Sequence, residues 1–366
     1  MIINSIELSN FRNYETLSMQ FHPKTNILYG DNAQGKTNIL EAIYVAATTK
    51  SHKGSKDKEL IKMDQSESHI RLRNEKDDMI HIIDMHIKKN KSKGIAINGI
   101  PIRKSSELVG LVHVVFFSPE DLGIIKNGPG ERRRFIDMEL CQIDKIYLYN
   151  LTKYNKILMQ RNNLLKQIRF NAELLDTLSI WDKQLVIYGK NVIDRRIEFI
   201  NQLNSIIFNI HKKLSGGKEE LVIQYDSNVS SELFEKKLED SIDRDISLKM
   251  TNVGPHRDDI LFLVKDIDIR KFGSQGQQRT AALSLKLAEI ELLKRITRQS
   301  PILLLDDVLS ELDRNRQNYL LDSIKDIQTI ITCTGLEEFV NNRIEINKIF
   351  RVVEGTVTEE NDLNKV

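Results

Sequence analysis

Between residues 30 and 37 the chain reads Gly30-Asp31-Asn32-Ala33-Gln34-Gly35-Lys36-Thr37 and meets every fixed position of the phosphate-binding pattern GxxxxGK[ST]. This stretch constrains the fold most, because the loop works only between a buried strand and the start of a helix. Its glycines let backbone N–H groups turn inward around phosphate oxygens, and the helix behind it adds the positive end of its dipole. The flanks agree. Thr25–Tyr29 is a short apolar run, and Ile39, Leu40, Ile43 and Tyr44 follow at helical spacing. The pattern assigns Gly30, Asn32 and Gly35 to the cradle, Lys36 to the β- and γ-phosphates, and Thr37 to Mg²⁺.

A nucleotide–Mg²⁺ site needs a second acid at the end of a neighbouring strand. Pro301-Ile302-Leu303-Leu304-Leu305-Asp306-Asp307 is an apolar run ending in two carboxylates, and in parallel sheets functional side chains gather at the C-terminal strand ends. Asp306 is the candidate Mg²⁺ holder, and Asp307 the group that polarises an attacking water. A strand running into a helix cap gives the same residues; the phosphate loop upstream decides for the catalytic reading.

The rest of the chain divides by texture. Ile2–Leu8 alternates as a strand, and residues 69–117 are strand-rich, with a hairpin turn in Ala96-Ile97-Asn98-Gly99-Ile100 and a buried-strand candidate at Leu111–Phe117. From Glu131 to Leu214 glycine is rare and proline absent, and apolar residues recur three and four apart, as in Leu185, Tyr188, Val192 and Ile193. These are amphipathic helices closed by Gly216-Gly217. Mixed α/β character returns near Asn252, with strand-like Leu261–Val264, Ile302–Leu305 and Thr329–Thr332 and a helix over Thr280–Ile296. The expected organisation is an α/β domain built from residues 1–130 and 251–366, with a helical insert at 131–250. Cys141 and Cys333 are far apart with no CxxC spacing, which argues against a zinc site or disulfide framework and suits a cytoplasmic protein. The N-terminus carries no secretory pattern, and the apolar runs fall short of a membrane span.

Phe272-Gly273-Ser274-Gln275-Gly276-Gln277-Gln278-Arg279, just ahead of a long helix, resembles the ABC-ATPase signature, with Ser274, Gly276 and Gln277 at its characteristic positions. Gln275 stands where transporters usually have glycine. A polar turn capping a helix is the competing reading. Ser310-Glu311-Leu312-Asp313 follows the acidic pair as an ABC D-loop does. The resemblance implies an ABC-type P-loop ATPase head, a mixed sheet with helices, that binds ATP and Mg²⁺. It also implies that each signature meets the partner's phosphate loop, so that ATP is sandwiched in a homodimer.

Further segments resemble the RecF family: Phe11-Arg12-Asn13-Tyr14, Ser118-Pro119-Glu120-Asp121-Leu122, Gly130-Glu131-Arg132-Arg133-Arg134-Phe135-Ile136-Asp137, Gln160-Arg161-Asn162-Asn163-Leu164-Leu165-Lys166 and Gly254-Pro255-His256-Arg257-Asp258-Asp259. They span nearly the whole chain in intact order. The resemblance implies an ATP-dependent DNA-binding protein of gap repair that acts with the mediators RecO and RecR, helps load a recombinase and supports the SOS response. Transporters have glutamine where Ser118-Pro119-Glu120 follows a strand, and histidine where Thr332-Cys333-Thr334 ends one. Thr332 and Thr334 are therefore candidates to sense the γ-phosphate. Asp307, shorter than the usual glutamate, implies slow hydrolysis used as a timer.

The formal net charge of +2 makes any nucleic-acid site a local patch. Candidates are Lys50, Lys53, Lys56 and Lys58; Lys88, Lys89, Lys91 and Lys93; and Arg132, Arg133 and Arg134. Of these, Lys53, Lys56 and the three arginines are the leading expectations, and Arg12 is a candidate for nucleotide or DNA. A transporter ATPase subunit and an SMC- or Rad50-like tether are the alternatives. The missing glutamine and histidine speak against the first, and the short helical region against the second.

Overall fold

A computed structural model describes residues 1–168, 171–335 and 345–360. Residues 169–170 of the expected insert and 336–344 and 361–366 of the expected C-terminal part lie outside the described residues. In chain order the elements are β1 (Ile2–Phe11), β2 (Tyr14–Gln20), β3 (Thr25–Tyr29), α1 (Lys36–Thr48), β4 (Glu67–Lys76), β5 (Met79–Lys88), β6 (Lys91–Ile97), β7 (Ile100–Pro101), β8 (Val114–Phe117), α2 (Leu122–Lys126), α3 (Pro129–Ile143), α4 (Lys145–Ile168), α5 (Leu175–Leu214), β9 (Leu221–Asp226), α6 (Phe234–Asp240), α7 (Ile242–Leu248), β10 (Asp259–Val264), β11 (Ile267–Asp268), α8 (Ile269–Phe272), α9 (Gln275–Thr297), β12 (Ile302–Asp306), α10 (Arg314–Ser323), β13 (Thr329–Cys333), β14 (Lys348–Val353) and β15 (Thr356–Glu360).

The chain forms two compact units, one from residues 1–121 and 289–366, the other from 122–288. Where the sequence reading set boundaries at 130 and 250, the second unit keeps residues 251–288. The reason is pairing: β10 is hydrogen-bonded to β9 along its whole length and to β11 beyond it.

The first unit holds two sheets. In the antiparallel sheet, of order β2-β1-β4-β5-β6-β7, the strands show a period-two burial pattern, clearest in β4, where Ser68, Ile70, Leu72 and Asn74 point inward. Asn98 and Gly99, with φ of 52° and 78°, make the left-handed turn that pairs Ile97 with Ile100, as the hairpin signal predicts. The second sheet runs β15-β14-β3-β13-β12-β8. β14, β3, β13, β12 and β8 are mutually parallel, and only β15 runs antiparallel. β8, β12 and β13 are buried nearly throughout, as expected of parallel strands covered on both faces.

The second unit is built on α4 and α5. The 40 residues of α5 reach about 60 Å at 1.5 Å per residue. Its inner stripe buries Leu185, Val192, Ile193, Ile200, Leu203 and Ile207. At its end Gly217 N–H bonds Lys212 O at 2.7 Å and Gly216 N–H bonds Lys213 O at 3.2 Å, the paired closure of a Schellman motif. The segments Gln160–Lys166 and Gly254–Asp259 both bond Thr251 in this unit. Arg161, with no exposed surface, donates to Asp182 (2.5 Å), Asp245 (2.6 Å) and Thr251 (2.9 Å), while Asn162 accepts from the Thr251 N–H and hydroxyl. His256 donates from Nε2 to Thr251 O at 2.9 Å, so its Nδ1 accepts from the Tyr154 hydroxyl at 2.6 Å. Cys141 and Cys333 are buried thiols.

Candidate functional site

The phosphate loop leaves β3 at Gly30 and enters α1 at Gly35. Both glycines take left-handed φ values, 150° and 111°, where a side chain would be strained. Space also forbids one. A Cβ on Gly30 would strike the Val352 carbonyl, and one on Gly35 would strike Asn13 and lie 2.8 Å from the Tyr14 hydroxyl. Asp31, Asn32 and Ala33 are exposed at the crest, with Ala33 also left-handed at φ 63°.

The loop is propped from two sides. From the β1–β2 turn, Asn13 donates to Gln34 O (3.2 Å), Asn38 donates to Asn13 Oδ1 (2.7 Å), and Tyr14 donates to Gly35 O (3.1 Å). From the β14–β15 turn, the Glu354 and Gly355 N–H groups bond the Gln34 side chain and carbonyl at 2.5 and 3.2 Å. Lys36 folds over the loop, donating to Gly30 O at 2.6 Å and Asp31 O at 2.7 Å. Burial lowers its pKa, opposed by the nearby carboxylates of Asp307, Asp306 and Asp31.

The acidic strand sits one strand away from the loop, because β13 lies between β3 and β12. Asp306 ends β12 and accepts from the Thr37 hydroxyl at 2.7 Å and from the Thr332 hydroxyl at 2.8 Å. Thr332 in turn accepts the Asp307 N–H at 3.0 Å. Thr332 is buried and orients both acids, whereas Thr334 is exposed just past the strand end. Asp307 takes a left-handed φ of 52°. Burial raises its pKa, and the Lys36 ammonium works against that rise. The residues fit ATP and Mg²⁺: a buried cation over the loop, and two hard oxygen donors, Thr37 and Asp306, in direct contact. In the D-loop, Ser310 donates to Asp307 O at 2.8 Å, and Asp313 caps α10 through Arg316 N–H at 3.0 Å.

Ser274, Gly276 and Gln277 lie in the second unit at the start of α9. Ser274 N–H bonds Gln277 Oε1 at 2.8 Å, and Gln277 N–H bonds Ser274 Oγ at 3.2 Å, a reciprocal capping box. Gln277 also donates to Glu219 at 2.8 Å. Ser274, Gln275 and Gly276 are exposed. The turn thus caps its helix and still presents its hydroxyl and helix end to solvent.

One expectation changes, at Arg132. Arg12, expected at the nucleotide or DNA, has its guanidinium engaged within the first unit and keeps 22% of its side-chain surface. It grips both oxygens of buried Glu41 at 2.7 Å and donates to Ser55 (2.8 Å) and Glu59 O (2.8 Å). Arg132 was expected at DNA, but it is fully buried. It pairs with Asp259 at 2.6 and 3.1 Å and donates to Asn127 O at 2.6 Å. Arg133 is half-buried and donates to Asp258 O at 2.6 Å, and Arg134 is half-buried as well. Lys53 and Lys56 are exposed after α1. The sequence reading missed the props Asn13, Tyr14 and Gln34, and it missed Glu41. A carboxylate amid the apolar run Ile39–Ala47 was the available signal, since a buried acid requires a cation.

A family model described as the RecF/RecN/SMC N terminal domain matches residues 2–358. The chain is 68% identical to the DNA replication and repair protein RecF of Lachnoclostridium phytofermentans, over 98% of this chain and 99% of that one. It is 49% identical to the RecF of Clostridium perfringens, over 98% and 99%. Among solved structures it resembles the recombination mediator RecF with ATP, from the RecFOR pathway, at a TM-score of 0.92 and 37% identity over 98% and 97% of the two chains. An Smc head bound to the winged-helix domain of ScpA, at 18% identity and a TM-score of 0.58 over 100% and 99% of the chains, shares the fold. The fold is thus α/β, an ABC-type ATPase head whose chain carries an inserted unit. No helix among the described residues is long and apolar enough to cross a membrane.

Proposed function

Because the chain belongs to the RecF family of DNA replication and repair ATPases, we infer that it is an ATP-gated DNA-binding protein of recombinational gap repair and replication restart. The observation that carries this reading is the contact of Thr37 with Asp306, under Lys36 and beside Asp307. Thr37 and Asp306 would hold Mg²⁺, which would supply neutralisation of the phosphate charge. Lys36 exchanges its loop carbonyls for the β- and γ-phosphates. Asp307 takes a proton from the attacking water, and its burial keeps it a better base than an ordinary aspartate.

ATP brings two copies together, with Ser274, Gly276 and Gln277 of each lying over the triphosphate of the other. The exposed, pre-capped turn at α9 supports this, since its helix end attracts a γ-phosphate. Slow hydrolysis through Asp307 then opens the dimer and releases DNA. The DNA is duplex or gapped duplex, met by Lys53 and Lys56. The partners are RecO and RecR, the downstream event is recombinase loading with support of the SOS response, and the setting is the cytoplasm.

One sample tests the core of the reading. Oligomeric state and DNA affinity are measured together, with and without ATP, for wild type and Lys36→Met. Wild type should dimerise and bind DNA more tightly with ATP, and Lys36→Met should do neither. A wild type that stays monomeric with ATP and binds DNA equally without it sinks the reading.

A further inference from the structure

The stretch after α1, residues 50–60, carries four lysines, Lys50, Lys53, Lys56 and Lys58, all exposed and none in an ion pair among the described residues. Of its two acids, Asp57 pairs with Lys93 at 2.8 Å, while Glu59 keeps its charge and accepts the Lys56 backbone N–H at 3.0 Å. With four lysines against that one uncompensated carboxylate, the strip is locally positive on a nearly neutral chain.

It is also held in place. His52 stacks on Phe116 with ring centres 3.9 Å apart and meets Tyr44 edge-on. Lys93 donates to Thr49 O at 2.5 Å. The far end is zipped to β1, with Arg12 N–H on Leu60 O and Lys62 N–H on Asn10 O, both at 2.8 Å. A cation strip already ordered loses little entropy on meeting a ligand.

Arg12 joins this strip to the nucleotide machinery. Its Nε and Nη2 grip Glu41 on α1, Nη2 also donates to Ser55, and Nη1 reaches Glu59 O within the strip. Ser51 donates to the same Glu41 at 2.5 Å. The next two residues, Asn13 and Tyr14, prop the phosphate loop itself. One three-residue turn thus touches the loop, its helix and the basic strip. Burial works against ionisation of Glu41, yet the hydrogen bonds from Arg12 and Ser51 hold its pKa below the usual value, so the pair is charged at neutral pH.

We propose that residues 50–60 are a docking strip for a duplex phosphate backbone, positioned by the nucleotide through Arg12 and Glu41. In this proposal Arg12 acts as a positioning residue. This rests on the ATP-gated DNA reading above, extends its two lysines to an ordered strip and adds the coupling. The strip offers point charges without an exposed aromatic, since His52 is stacked inward; that fits phosphate contacts better than base stacking.

The test uses the full chain, a short fluorescent duplex and a salt series, each with and without ATP. Reversing Lys53, Lys56 and Lys58 to Glu should weaken binding at least tenfold and flatten the log–log salt slope by roughly two to three, near 0.9 per lost phosphate contact. ATP affinity should stay within about twofold of wild type, the spread expected of distant sites. Glu41→Gln should keep ATP affinity and nucleotide-free DNA affinity but lose most of the ATP-induced gain. Ser55→Ala, which cuts only the strip end of the relay, should lose part of that gain and serves alone if Glu41→Gln does not fold.

An unchanged salt slope in the triple reversal overturns the strip. Glu41→Gln and Ser55→Ala with a full ATP gain overturn the coupling, as does an equal loss with and without ATP. A loss of ATP affinity in Arg12→Lys makes Arg12 a nucleotide ligand and overturns its positioning role. If polyglutamate competes as well as duplex at equal charge, the strip serves an acidic protein instead. A wild type indifferent to ATP sinks the earlier reading and the coupling together, whereas variants that respond like a responsive wild type sink the coupling alone.

Discussion

Removing Arg132 should unfold rather than unbind. Its guanidinium meets both oxygens of Asp259 at 2.6 and 3.1 Å and supplies the donor for Asn127 O at 2.6 Å, all without exposed surface on the arginine. Breaking a buried pair by deleting one partner costs about 3–5 kcal/mol, because the remaining charge is stranded. Here the lower end applies, since Arg270 still reaches Asp259 at 3.1 Å and that carboxylate keeps 14% of its side-chain surface. The orphaned carbonyl adds roughly 1 kcal/mol. Arg132→Met, which keeps much of the volume, should therefore destabilise the 122–288 unit by roughly 3–4 kcal/mol. The chain's single tryptophan, Trp181, lies in that unit and reports its urea transition. With an m-value of roughly 2 kcal/mol/M the midpoint should fall by about 1.5–2 M. A shift below about 0.3 M would refute the reasoning, as would a DNA salt slope reduced by about one at an unchanged midpoint, the signature of a phosphate contact.

Two further outcomes follow from the sites described. Ser274→Arg should bind ATP at its own loop yet fail to dimerise; mixed with Lys36→Met, it should form an ATP-dependent heterodimer with one intact site, and differently tagged chains that never copurify would rule out the shared site. Burial lowers His256 to about 4, against roughly 6.5 when unfolded. The unfolded chain then takes up a proton that the folded chain refuses, so stability falls as pH drops from about 6.5 toward 4, by up to roughly 1.4 kcal/mol per unit. Wild type should lose urea midpoint faster than His256→Gln across that window, and parallel curves would contradict the assignment.

The phosphate loop, the acidic strand and the capped turn before α9 were legible because their chemistry depends on backbone spacing within a few residues. The hairpin at Asn98-Gly99 was legible for the same reason: two left-handed residues in a row leave few sequence choices. β2 was not set apart as a strand, since only Tyr14 and Met19 of its seven residues are buried and its period is faint. Arg132 was misread because a run of three arginines does not say which faces inward. Its spacing to Ile136 and Glu139, both buried on α3, carried that information. The partners of Glu41 and Asn13 were invisible for a different reason. They are contributed by separate segments, and only the folded chain brings them within hydrogen-bond reach.

The sheet order also dictates a timetable. β1, β2, β4, β5, β6 and β7 all come from the first 101 residues and pair only with one another. β3, bearing the phosphate loop, waits for β13 and β14, some three hundred positions downstream. At roughly 5–20 residues per second a ribosome needs about 15–60 s to cover that distance. During that interval the apolar strand β3 stands without its neighbours and α1 packs on β1, β4 and β5 without β12 and β13, which makes the nascent N-terminal third of the polypeptide a natural client for a holding chaperone.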